Sequence, residues 1–192
     1  MHHSISRRFS WLNLLIIASV VIVTLASCSS EPDHPSYVGV QSRVLNSGDE
    51  LPAMQCEAIF EISGGTTGDS ATPVDRNILE SLGMIKYSVD DPYENKSIEY
   101  EGVLLKNLFD QFGGEGSTEV AITAIDDYQQ VIPRADAEKW PIILALKVDG
   151  AYAPKDHRGP SLIVYPYNDF PELEPTAYDQ FWIWQIKNMS FN

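Results

Sequence analysis

Two short stretches hold the side chains in this chain best equipped for chemistry: Asp126-Asp127-Tyr128 and His157-Arg158, the latter beside Lys155. A guanidinium presents a planar fork of donors that matches carboxylates and phosphates. Set across a cleft from an acidic turn with a phenol, it would bind a small anion or hold a carboxylate-bearing ligand. A plainer reading stands beside that one. Asp-Asp-Tyr is also the composition of an Asx-type turn, and His-Arg-Gly-Pro that of a loop whose charges are solvated or paired. No catalytic residue is expected, and a Ser-His-Asp hydrolase site in particular is excluded, because His157 is the only histidine beyond the N-terminal region and no Gly-x-Ser-x-Gly elbow is present. No metal ligands are expected either, since Cys56, His34 and His157 lie too far apart for a zinc spacing.

Other groups read as structural. Cys56 alternates with Met54, Ala58, Phe60 and Ile62, so it is expected to point inward as a packed thiol, with no basic neighbour to favour thiolate. Gly64, Gly65 and Gly68 match neither the dinucleotide fingerprint nor the P-loop and read as a turn. The acidic loops Asp90 to Glu94 and Asp169 to Glu174 lack EF-hand spacing and read as solvated charge. Trp140, Trp182, Trp184, Tyr165 and Tyr167 either wall an aromatic pocket or belong to the core and rim of a sheet.

The elements that must position these residues follow from periodicity and turn chemistry. Residues 54–62 alternate as a half-buried strand. Thr72-Pro73, with Asp75 in the first turn, predicts a helix running to Leu82 and stopped by Gly83. Met84 to Val89 predicts a strand, and residues 98–102 lead into a second helix over Val103 to Phe112 that ends at Gly113-Gly114. Val120 to Ala124 alternates into the Asp126-Tyr128 turn and returns through Val131 to Pro133. Ile142 to Leu146 is a continuous apolar run buried on both faces, and Asp149-Gly150 is a strong hairpin signal. Leu162 to Tyr165 predicts a further strand, and Phe181 to Met189 an aromatic-dense closing one.

The address is written at the start. Arg7 and Arg8 precede an apolar stretch from Trp11 to Ala26, whose sixteen positions fall short of the roughly 20 residues a spanning helix needs. Leu25-Ala26-Ser27-Cys28 resembles a lipobox, so residues 1–27 are expected to be a lipoprotein signal peptide and Cys28 the lipidated residue. The arginine pair serves either general secretion or, with a poor motif match, twin-arginine export. Residues 28–49, rich in Ser, Pro and Gly, read as a tether. Beyond Cys28 stand 27 Asp and Glu against 11 Lys and Arg, a formal charge of −16. That charge argues against nucleic acid as a partner. With Cys28 lipidated, only Cys56 remains and no internal disulfide can form.

The order of motifs carries a resemblance. Glu101-Gly102-Val103-Leu104-Leu105, the Ala124 to Tyr128 turn, Ile132-Pro133, the apolar run into Asp149-Gly150, Gly159-Pro160 before Val164-Tyr165-Pro166, and Phe181-Trp182-Ile183-Trp184-Gln185 resemble the sulfite-oxidase-type molybdopterin-binding domain. The likeness is to its short exported bacterial members and covers roughly residues 50 to 191. It implies one compact, β-rich α+β domain over 50–192. Catalytic members ligate molybdenum through a cysteine in the interval that corresponds here to Gly83 to Tyr100, which has none. Cys56 precedes the first expected helix and is on the wrong element. Leu162 stands where the family often carries an arginine.

These readings predict a lipid-anchored protein on the periplasmic side of a bacterial envelope, held in the inner or the outer membrane. It would be non-catalytic, would carry no cofactor, and would bind a small ligand or an envelope protein partner. The alternatives are a molybdopterin-dependent periplasmic oxidoreductase and a structural envelope lipoprotein.

Overall fold

The computed structural model describes residues 36–192. The expected signal peptide, the lipidation at Cys28 and the first part of the tether lie outside the described residues. The fold is α+β and mostly β, with two sheets packed around one apolar core.

The first sheet runs β1 (Val38–Gln41), β4 (Met84–Asp91), β5 (Lys96–Leu104), β8 (Ile143–Val148), β10 (Leu162–Val164), with the short β9 (Ala151–Tyr152) hairpinned onto β8. The second runs β3 (Gly68–Val74), β2 (Phe60–Gly64), β11 (Ile186–Phe191), β6 (Glu119–Ala124), β7 (Gln129–Pro133). Its central pair, β11 on β2, is parallel, and its other pairings are antiparallel. Short helices close the ends: α1 (Arg76–Glu80), α2 (Leu105–Leu108) running on into a π-turn to Gly113, α3 (Arg134–Lys139) and α4 (Pro175–Tyr178). No helix among the described residues is long and apolar enough to cross a membrane.

Period and turn chemistry explain most of this. Val120, Ile122 and Ala124 of β6 face the core while their neighbours do not. In β8 the run Ile143 to Leu146 is buried throughout, as expected of a strand covered on both faces. Asp149 and Gly150 both adopt positive φ, 48° and 80°, which is the twist a two-residue hairpin needs. Gly102 is required for another reason: a Cβ there would stand 2.2 Å from the Leu144 carbonyl oxygen, where β5 bulges against β8.

Several expectations are corrected. Residues 38–41, expected within the tether, form an edge strand, and Leu45 is buried. All four β1 residues remain exposed, so no alternation marks the strand in sequence. The strand expected from Met54 starts only at Phe60, and Cys56 is exposed rather than inward. Thr72 and Val74 do not open a helix; they pair with Ile62 and Phe60 in β3, an edge strand on which Pro73 costs no ladder bond. Helix α1 begins after them, capped by Asp75, whose Oδ1 accepts from Ile78 N at 2.9 Å. Val103 and Leu104 belong to β5 rather than the second helix. The closing strand starts at Ile186; Phe181 ends a 3-10 turn (Asp179–Phe181) and residues 182–185 form an irregular aromatic segment.

Candidate functional site

Three irregular segments meet at one end of the two sheets: the β4–β5 turn carrying Asp91 and Tyr93, the β6–β7 turn at Asp126 to Tyr128, and the aromatic segment 179–185. The two turns grip the third with matched hydrogen bonds. Tyr93 donates its hydroxyl to the Asp179 carbonyl (2.8 Å), and Tyr128 donates to the next carbonyl, Gln180 (3.0 Å). Gln185, at φ 52°, completes the junction: its N–H donates to the Arg158 carbonyl and its own carbonyl accepts from Ile125 N–H.

Between them lies a cavity of about 240 Å³ lined by Tyr93, Asp126, Tyr128, Gln180, Trp182 and Trp184. Its walls are stiff. Tyr93 meets Trp184 edge-on at 5.0 Å between centroids, while Trp182 is buried against Tyr100 at 5.8 Å and stacked on Tyr167 at 5.5 Å. Burial raises the pKa of the Tyr93 phenol, and the Asp179 charge adds to that, so the hydroxyl stays a protonated donor to its carbonyl. Behind Trp182, the Tyr167 hydroxyl, the Trp182 indole N–H and Asp179 Oδ1 are each sealed from solvent without a close hydrogen-bond partner. Burial shifts Asp179 and Tyr167 upward, and the two groups also perturb one another.

Arg158 is not part of that cavity. Its guanidinium lies 5.2 Å from the Tyr93 ring centroid and 5.1 Å from that of Trp184. Its Nη1 donates to Asp91 Oδ2 at 2.7 Å, and Nη2 pairs with Glu94 at 3.3 Å. The Asp91 side chain is fully shielded and also accepts from the Tyr100 hydroxyl and from the N–H groups of Tyr93 and Glu94. The expectation of solvated charge at Asp90 to Glu94 is therefore corrected: Asp91 is the buried counter-ion of Arg158. Arg158 itself sits at φ 59°. Gly159 after it allows the loop to fold onto β9, since a Cβ there would meet the Ala153 carbonyl oxygen at 2.2 Å.

The five expected binding residues thus do not surround one cleft. Asp126 and Tyr128 line the 240 Å³ cavity; His157 and Arg158 line a separate one of about 130 Å³ with Glu94 and Tyr100. Asp127, at φ 66°, points to solvent and pairs with Lys187 at 3.1 Å. Asp126 Oδ1 accepts from Tyr128 N–H at 3.1 Å, the Asx-type turn the plainer reading describes. His157 is exposed and reaches Glu94 at 3.3 Å. Of the expected aromatic wall, Trp182 and Trp184 do line the cavity, whereas Trp140, Tyr165 and Tyr167 are core. Tyr93, Asp91 and Gln180 were not expected; Pro92 beside Tyr93 was the one local sign of a turn that aims a side chain.

A molybdenum dithiolene cofactor would call for a soft thiolate ligand and a cationic cradle. Among the described residues no His, Cys, Asp or Glu side chains group as metal ligands. The Cys56 thiol donates to the Asp75 carboxylate at 3.5 Å, and the Arg158 charge is engaged by two carboxylates.

No family model and no curated protein matches the sequence. Among solved structures, the chain is a distant structural neighbour of the sulfane dehydrogenase SoxCD from Paracoccus pantotrophus. Identity is 12% and the TM-score 0.48, over 69% of this chain and 37% of that one.

Proposed function

We propose that this chain is a lipid-anchored envelope protein whose domain binds a small ligand in the cavity between Tyr93, Tyr128, Trp182 and Trp184, without catalysis of its own. The observation that carries this reading is the cavity itself: a concave aromatic site, held open by two tyrosines that are each hydrogen-bonded to the backbone of the segment forming its floor. Such pre-formed, mostly apolar recesses with a few placed polar groups are where small molecules bind. At about 240 Å³ it falls below the range of drug-sized sites, so its ligand is small. Non-catalytic binding is supported by two features. No cysteine lies between Gly83 and Tyr100, and the one cysteine of the described domain is hydrogen-bonded to a carboxylate.

Export and anchoring rest on Arg7-Arg8, the apolar stretch and Cys28. The test is a thermal-shift screen of the full chain against small metabolites, repeated with Trp184→Ala. A ligand that raises Tm in the parent and not in the variant supports the reading. The structural-lipoprotein alternative predicts instead that no small molecule raises Tm. Stoichiometric molybdenum and pterin in protein from a molybdenum-replete host would establish the oxidoreductase instead.

A further inference from the structure

We infer that the aromatic cavity selects a small organic cation, a methylated ammonium of choline size, rather than an anion or a neutral solute; this rests on reading the cavity as a ligand site. Three properties of the lining point the same way. Four aromatic side chains line it, two of them indoles, and aromatic rings attract weakly hydrated cations. Its charged side chain is a carboxylate, Asp126, and no Lys, Arg or His lines it. Its phenols are poor anion hosts, because both hydroxyl protons are committed to the carbonyls of Asp179 and Gln180; the Tyr128 oxygen in turn accepts from the Gln130 side-chain amide at 2.9 Å. The Gln180 amide is likewise turned to the Ala177 carbonyl.

Two of these rings already accommodate a cation: the Arg158 guanidinium lies against Tyr93 and Trp184, and it does not itself line the cavity. That internal guanidinium does not repel a second cation strongly, since Asp91 and Glu94 neutralise it and Asp126 adds a further negative charge. Lys187 is exposed and paired with Asp127. Size agrees. At ~30 Å³ per water-sized group the cavity takes about eight, enough for a trimethylammonium head with a short arm.

The test titrates the full chain with choline, with its neutral isostere 3,3-dimethylbutan-1-ol, and with acetate, following tryptophan fluorescence. The expected result is saturable choline binding about tenfold tighter than the isostere, none with acetate, and weaker choline affinity at high salt. Asp126→Asn keeps the Asx turn and should weaken choline about fivefold while leaving the isostere unchanged. Phosphatidylcholine vesicles against free choline distinguish a lipid headgroup from a soluble cation, and binding of either supports the inference. Equal affinity for choline and the alcohol overturns it yet leaves a ligand-binding cavity. The same holds if choline fails to bind while another metabolite raises Tm in a Trp184-dependent way. Failure of every solute to bind overturns both readings.

Discussion

Arg158→Ala is the most informative perturbation of the junction, because it separates a buried ion pair from surface decoration. The Asp91 side chain is 0% exposed and that of Arg158 15%, with 2.7 Å between Oδ2 and Nη1. Removing one partner of such a pair strands a charge, at about 3–5 kcal/mol. Three donors to Asp91 survive in the variant, from Tyr100, Tyr93 and Glu94, which places this term at the low end, about 3 kcal/mol. Loss of the guanidinium from two aromatic rings adds about 0.5–1 kcal/mol. Alanine keeps the Cβ, so the left-handed backbone at φ 59° contributes no difference. The expected loss is about 3–4 kcal/mol by urea unfolding at neutral pH, with m unchanged, and Tm lower by roughly 6–15 °C. Adding Asp91→Asn should recover part of the loss, since the stranded group is then neutral. A loss under about 1 kcal/mol, or strict additivity of the two substitutions, would refute the reasoning.

Three further outcomes are expected. Burial pushes the Asp75 pKa up, but N–H bonds from Ile78, Cys56 and Gln55 outweigh it and hold the carboxyl below its ordinary 3.8. Its stabilisation is therefore complete above that value and lost as pH falls through the lower folded pKa; Asp75→Asn should remove this part of the acid dependence in unfolding measured from pH 2 to 7. Gly159→Ala forces a Cβ onto the Ala153 and Pro154 carbonyl oxygens and should cost about 1–3 kcal/mol in urea unfolding, with Gly116→Ala, which meets nothing within 4 Å, as the neutral control. Cys28→Ala should abolish incorporation of an alkyne fatty acid in the producing cell, whereas an unlabelled variant that stays in the membrane would identify the N-terminal stretch as an uncleaved anchor.

Where local chemistry and long-range pairing agree, the fold is legible in the chain. The alternation of Val120 to Ala124, the apolar run into β8 and the Asp149-Gly150 hairpin each carry a period or a turn that no other structure satisfies as well. Thr72-Pro73-Val74 shows the opposite case. Its capping chemistry suits a helix, yet Thr72 and Val74 sit opposite Ile62 and Phe60, and the ladder on β2 wins. Phe181 to Gln185 has the composition of a strand but must bend around Tyr93 and Tyr128, whose hydroxyls take the backbone carbonyls just before it.

The site was half legible for a sharper reason. Asp91 stands among Asp90 and Glu94, and nothing nearby in sequence distinguishes it from a solvated acid; its partner Arg158 lies 67 residues away. Local pattern therefore assigns two free charges where the fold makes one buried pair. That pairing reverses the chemistry of the whole end of the molecule. With Arg158 unpaired, the junction would be an anion site facing an acidic turn. With Arg158 committed to Asp91 and Glu94, what remains open is a cavity lined by aromatic side chains and Asp126. The residue that promised anion binding instead braces Tyr93 and Trp184 from behind. The preference for positive charge inferred for the cavity thus follows from the engagement of Arg158 by Asp91 and Glu94.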